Sequence, residues 1–343
     1  MTKSMDYKKA TLSDVALLAG VSKSAAAAVL VNKKSTARVS PETRDRVLLS
    51  ARELNYRPHA IASSLRRQST NTIGYYTGYV TVDLRVPFHN HVLNGVRQAC
   101  DDNRKHLLLQ GTFADSPIEQ VYDDLTDGKI DGVVLHLHDG HPLVPFLRQD
   151  RIPSISIAEK LSAIPSVTID DEHGSRMLAA YLHAKGHKRI LYRFQIPEGA
   201  STSSCRLPVF LKMASEYGME VIHNLHPGEL GTVSQEEERC LRGIEGHRPT
   251  AVVCWNDFIA HQFMRYCRKS GIDVPGDFAV AGFDGYTPYP TFEAAPAYNL
   301  TTIRIPWEHV GTLAATLLLD KIAGNEIADE TVVPVQMVEG ETA

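Results

Sequence analysis

No stretch of this sequence approaches the ~18 consecutive apolar residues that a membrane-crossing helix needs. The opening MTKSMDYKK carries charge with no apolar segment behind it, so a secretory signal is not expected. Cysteine is scarce: five, at 100, 205, 240, 254 and 267, widely spaced and without a CxxC pair. That usage argues against a disulfide scaffold or a zinc cluster and fits reduced thiols in the cytoplasm. Motifs of the common α/β enzymes are missing as well. There is no P-loop, no GxGxxG behind a strand, no GxSxG and no HExxH. Neither catalysis nor a cofactor is therefore expected. The fifteen histidines are scattered. His136 and His138 alternate as they would on one face of a strand, but two ligands do not make a metal site, and none is expected.

What is present is a globular composition, 43% hydrophobic and 22% charged. A length of 343 residues suggests two or three domains. The formal net charge of −4 conceals a division. Residues 1–70 hold thirteen Lys and Arg against five acids, a balance of +8, and the remainder holds 23 against 35, a balance of −12. A small basic module joined to a large acidic one suggests a polyanion partner for the first.

Residues 11–55 read as three short helices. Thr11 is placed to cap the first, whose Leu12, Val15, Ala16 and Ala19 follow helical spacing. Gly20 suits a left-handed turn, and Ser22 is placed to cap a second helix over Lys23–Val31. Ser40-Pro41-Glu42 starts a third, with Val47, Leu48, Ala51 and Leu54 as its apolar stripe. Helix, Gly-containing turn, helix and supporting helix is the helix-turn-helix layout. Residues 59–67, HAIASSLRR, allow two helical turns, too few to stand alone in water, and read as a hinge ordered by what supports it.

From Thr72 strands and helices alternate. Strands are expected at Ile73–Tyr76, His106–Gln110, Gly132–Leu137, Ser154–Ile157, Arg189–Phe194, Ala251–Cys254 and Phe278–Gly282. Helices are expected at Asn90–Asp101, Gly174–Lys185, Leu207–Tyr217, Gln235–Arg242 and Phe258–Ser270. This pattern implies parallel sheets covered by helices, and its length exceeds one comfortable core. The expected fold is an all-α helix-turn-helix headpiece (1–57), a hinge helix and linker (58–71), and an α/β two-lobed core (72–343). The first lobe is expected at about 72–170 and 304–330, the second at about 171–303 and 331–343.

The run TLSDVALLAGVSKSAAAAVL and, further on, VSPETRDRVLLSARELNYRPHAIASSLRR closely resembles the headpiece of the LacI/GalR family of bacterial transcriptional repressors. TIGYY, GHKRI, PTAVVCWND, GIDVPGDFAVAGFDG and LTTIR extend the resemblance along almost the whole chain, in consistent order. The resemblance implies a DNA-binding headpiece, a hinge helix and a core with parallel sheets like those of periplasmic sugar-binding proteins. It also implies a homodimer on a near-palindromic operator and control by a small sugar-like effector. With no C-terminal leucine heptads before VEGETA, a dimer is expected rather than a tetramer. The competing readings are a cytoplasmic sugar-binding protein or an α/β enzyme, neither with regulatory DNA binding.

The second helix then enters the major groove, with Ser22, Lys23 and Ser24 facing base edges. Where the family usually reads Thr-Val-Ser-Arg, this chain has Ala25–Ala28, so Ala28 replaces the base-contacting Arg and a changed operator is expected. Arg38, Thr43, Tyr56 and Arg57 match phosphate contacts, and Leu65, with Ala62 beside it, matches the minor-groove wedge. In the core, Arg206, Asn256 and Asp284 match polar effector contacts, and Phe88, His89 and Trp307 match cleft-lining aromatics. Trp307 also fits packing at a crossover between lobes, and the alignment at His89 is loose. Asp257 reads as a helix cap. Ala158 stands where many members have a ligand-binding Asp, leaving Glu159 or Lys160 to substitute, and Arg193 fits either an anionic ligand or a core carboxylate.

Overall fold

The computed structural model describes residues 10–30, 39–57, 64, 69–78, 82, 84, 86–111, 116–149, 152–194, 205–223, 225, 232–244, 246, 248–286 and 299–343. The chain divides into two compact units, residues 1–71 and 72–343.

The first unit has the expected three helices, α1 (Leu12–Leu18), α2 (Lys23–Leu30) and α3 (Pro41–Glu53). Thr11 and Asp14 cap each other at the start of α1. Thr11 Oγ1 accepts from the Asp14 amide at 3.3 Å, and Asp14 Oδ2 accepts from the Thr11 amide at 2.8 Å. This reciprocal box satisfies two donors that a helix start otherwise leaves open. Gly20 turns the chain at φ +64°, and Ser22 Oγ accepts from the Ala25 amide at 3.1 Å to begin α2. Val15, Ala16, Ala19, Ala26, Val29, Val47 and Ala51 pack as the core of the unit.

The second unit begins with β1 (Thr72–Thr77), α4 (Pro87–Asp102), β2 (His106–Leu109), α5 (Ile118–Thr126) and β3 (Gly132–His136). It continues with α6 (Val144–Gln149), β4 (Ser154–Ala158) and β5 (Ser166–Ile169). A second lobe follows: α7 (Asp171–Ala184), β6 (Arg189–Arg193), α8 (Arg206–Glu216), β7 (Glu220–Ile222), α9 (Gln235–Leu241), β8 (Ala251–Cys254), α10 (Asp257–Lys269), β9 (Ala279–Asp284) and β10 (Thr301–Arg304). The chain then returns to the first lobe with α11 (Trp307–Ile322) and β11 (Glu330–Val333) and crosses again to β12 (Gln336–Val338).

Each lobe holds a six-stranded sheet, ordered β11-β5-β4-β3-β1-β2 and β12-β10-β9-β8-β6-β7. The first is parallel throughout, and in the second only β12 runs antiparallel. Central strands such as β3 and β8 are near-continuous apolar runs because helices cover both faces. The lobe boundaries need two corrections. Residues 331–333 belong to β11, which pairs with β5 in the first sheet, so the chain crosses back after Val333, and Arg304 closes β10 in the second sheet. Strands β5, β7, β10, β11 and β12 lie outside the expected set. Helices α5, α6 and α11 were not expected either.

On the first lobe α4 and α11 approach backbone to backbone. A Cβ at Gly95 would stand 1.9 Å from the Glu308 carbonyl oxygen, and one at Gly311 would stand 2.1 Å from that of Val92. This contact fixes where α11 begins, and so where Trp307 lies. Among the described residues, no single helix is long and apolar enough to cross a membrane.

Candidate functional site

Ligands of open parallel sheets bind at the carboxyl ends of the strands. In the second lobe that end carries Asp284, the last residue of β9, with φ 112°, followed by Gly285 at 77°. A non-glycine residue held there costs on the order of 1–3 kcal/mol, so its surroundings must impose it. Arg206, the first residue of α8, is 6% exposed. Its Nε donates to Asp171 Oδ1 at 2.9 Å and its Nη1 to the Trp255 carbonyl at 3.1 Å. The same Nη1 lies 3.4 Å from Asp284 Oδ1, and the guanidinium sits 3.9 Å from the Phe283 ring centre. One guanidinium thus holds two carboxylates, which supplies both donor and acceptor atoms at a single locus.

Burial pushes the Asp284 carboxyl up to about 7, with Arg206 pulling against that rise and the Asp171 charge adding to it. Asp257 beneath it is fully buried. It accepts from Thr302 Oγ1 at 2.6 Å and from the Tyr286 amide at 2.7 Å, and burial first, then the Asp284 charge, raises its carboxyl well above the usual range. The expected helix cap therefore falls one residue earlier. Asn256 Oδ1 accepts from the Ile259 amide at 2.9 Å, while Asp257 turns inward to hold the Asp284–Tyr286 turn. Asn256 keeps its amide nitrogen as a donor beside the site.

In the first lobe Phe88 gathers three rings around it. The centroids of His136, Trp307 and His89 lie 4.6, 4.7 and 5.2 Å from its own. Trp307 is 5% exposed, and its indole nitrogen has no partner among the described residues. Burial, with a smaller contribution from His89, lowers His136 to about 3, so its imidazole is neutral at physiological pH. The strand ends at His136, and His138 lies beside His141 at 5.7 Å between centroids. No group of three His, Cys, Asp or Glu side chains placed to hold a metal ion exists among the described residues.

Arg193 is committed to the core. Its Nε and Nη2 donate to the two carboxylate oxygens of Glu237 at 2.6 and 3.0 Å, and Nη2 also donates to the Thr232 carbonyl at 2.7 Å. Lys160 pairs at the surface with Glu330, and Ala158 adopts φ 66°. Asp171, Trp255 and Tyr286 join these groups without having been singled out from the sequence, and His136 joins them as a ring beside Phe88. Asp171, in the run DDEHG, is an acid in the first turn of α7.

In the first unit Ser22, Lys23 and Ser24 are exposed at the start of α2, and Ala28 is half-buried. Thr43 is half-buried, with its hydroxyl 2.9 Å from Ser40 Oγ. Tyr56 packs against the core of the unit, and Arg57 is exposed. Arg38, Ala62 and Leu65 lie outside the described residues.

Residues 11–59 match the family of bacterial regulatory proteins, lacI family, and residues 179–343 match the periplasmic binding protein-like domain. The chain is 30% identical to the HTH-type transcriptional repressor PurR of Photobacterium profundum, over 91% of this chain and 92% of that one. It is 28% identical to the HTH-type transcriptional regulator DegA of Bacillus subtilis, over 88% of each. Among solved structures it resembles the lac repressor dimer bound to operator and the anti-inducer ONPF, with TM-score 0.77 at 24% identity, covering 98% of this chain and 99% of that one. It also resembles a complex of the transcriptional regulator CelR with cellobiose, with TM-score 0.66 at 25% identity, covering 97% and 100%.

Proposed function

The chain belongs to the LacI family of bacterial regulatory proteins and is a DNA-binding transcriptional regulator, and from that premise we propose the rest of its function. It is a homodimeric, cytoplasmic repressor without enzymatic activity, and a small sugar-like effector between the core lobes controls its affinity for operator DNA. The observation that carries the effector site is the clamp of Arg206 between Asp171 and Asp284, on a strained turn at the strand ends. Hydroxyls of a sugar donate to the carboxylates and accept from Asn256. Phe88 and Trp307, on the first lobe, offer ring faces and one indole donor. CelR, which shares the fold, is seen with cellobiose, and this supports the same class of ligand here.

On the DNA side, Ser22, Lys23, Ser24 and Ala28 read bases. Arg38, Thr43, Tyr56 and Arg57 hold phosphates, and Leu65, with Ala62 beside it, wedges the minor groove. Closure of the lobes on the effector changes the spacing of the hinge segments in the dimer. Such coupling is reciprocal and typically worth about 1–3 kcal/mol. The test is a thermal-shift screen of the full-length protein against sugars, sugar acids, polyols and nucleosides, since a ligand of the native state raises the midpoint by mass action. A sugar that raises the midpoint and shifts operator affinity is the expected result. If no compound that raises the midpoint alters DNA binding, the regulatory reading fails. A log–log dependence of DNA affinity on salt with a slope near zero would count against the headpiece assignment.

A further inference from the structure

The surface of α2 points to the chemistry of the operator that it reads. Ala26 and Val29 are buried against α1 and α3, so the opposite side of the helix carries Lys23, Ser24, Ala27 and Ala28. Helical spacing sets Ala27 one turn beyond Lys23, and Ala28 one turn beyond Ser24. Ser22 Oγ is engaged by the Ala25 amide at 3.1 Å and lies 2.9 Å from Ser24 Oγ, so the two hydroxyls are tied to each other and to the backbone. Lys23 is the one long donor of the first turn, and the second turn offers only methyl groups. That DNA is the ligand of this helix rests on the family match over residues 11–59, independently of these side chains.

In the major groove an alanine methyl has one complementary feature on a base edge, the 5-methyl of thymine. Opposite guanine, cytosine or adenine it would cover a donor or an acceptor and leave it without water or partner, at the cost of an unmade hydrogen bond. We infer that α2 reads its half-site through methyl contacts. Lys23 takes a guanine at the N-terminal end of the helix, and Ala27 and Ala28 select thymines at the adjoining positions. The inference rests on the proposed role of α2 as the major-groove helix.

Selection of the full-length protein on random duplexes supplies the operator. Each thymine of the selected half-site is then replaced singly by deoxyuridine, which removes the methyl and leaves base pairing intact. Half-sites that place thymine beside a guanine are expected. Deoxyuridine at one or two of those positions should weaken binding about fourfold each, the ratio that corresponds to about one buried methylene-sized group. Ala28→Arg, a good helix former on this surface, should move the preference at its position from thymine to guanine and abolish the deoxyuridine penalty there. Selection of a defined operator that tolerates deoxyuridine at every position overturns methyl reading while leaving the DNA-binding role of α2 intact. Failure to select any sequence overturns that role itself.

Discussion

His91 and Tyr286 lie face to face, with ring centroids 5.8 Å apart and planes within 8° of parallel. One ring belongs to each lobe. His91 rides on α4 one turn after Phe88, and Tyr286 follows the Asp284–Gly285 turn with its amide held by Asp257. The stack therefore joins the aromatic group of the first lobe to the carboxylate group of the second.

Replacing His91 by Ala removes the stack without touching Arg206 or Asp284. An aromatic pair contributes about 0.5–1.5 kcal/mol beyond area burial, so effector affinity should fall by roughly twofold to tenfold. Calorimetric titration with a compound found by thermal shift reads this directly. Unchanged affinity would show that the stack does not bear on closure.

The carboxyl at position 284 gives a pH signature. The unfolded chain releases that proton near pH 4, and the folded protein releases it at about 7. Between these values the folded form holds the extra proton, so this group's contribution to stability falls as pH rises from about 4 to 7 and levels off above. The melting temperature of the wild type minus that of Asp284→Asn should decline across the same window. A flat difference would refute the assignment.

Arg193 and Glu237 test how the second lobe is held. Both side chains are 1% exposed, and removing one charge strands the other away from water. Glu237→Leu should lose about 3–5 kcal/mol in urea unfolding, whereas Arg193→Met combined with Glu237→Leu should recover most of that loss. Equal losses in the single and double variants would contradict this account.

Legibility in the sequence followed the reach of each signal. Caps at Thr11, Ser22 and Ser40 and the turn at Gly20 were readable because each depends on residues within three or four positions. Asn256 and Asp257 are both good caps, and nothing local says which one turns inward. That choice is made by Thr302 and by the Tyr286 amide, far along the chain. Arg206 and Asp284 were found through the family pattern. Asp171, which fixes the Arg206 orientation, follows a crossover that composition does not mark. Arg193 fitted a ligand or a carboxylate equally well until α9 brought Glu237 against it.

Gly95→Ala tests the seam between α4 and α11. With the Glu308 carbonyl oxygen in the way, one helix must shift. Overpacking of this kind costs about 1–3 kcal/mol or more. The melting temperature should drop, and Trp307 fluorescence should shift as the start of α11 moves away from Phe88. A variant as stable as the wild type would mean that the helices are not locked there.

The three crossings between lobes bear on how the protein is made. Neither lobe is a single continuous length of chain, and the first sheet lacks its edge strand β11 until residues 330–333 have been synthesised. While most of the protein is already outside the ribosome, β5 presents open backbone donors and acceptors, and α4 has no α11 against which to bury its apolar face. The proposed effector locus, which draws on Asp171, Asp284 and Trp307, is complete only once α11 has been made. A nascent chain therefore carries its finished DNA-reading helices well before it can sense a ligand.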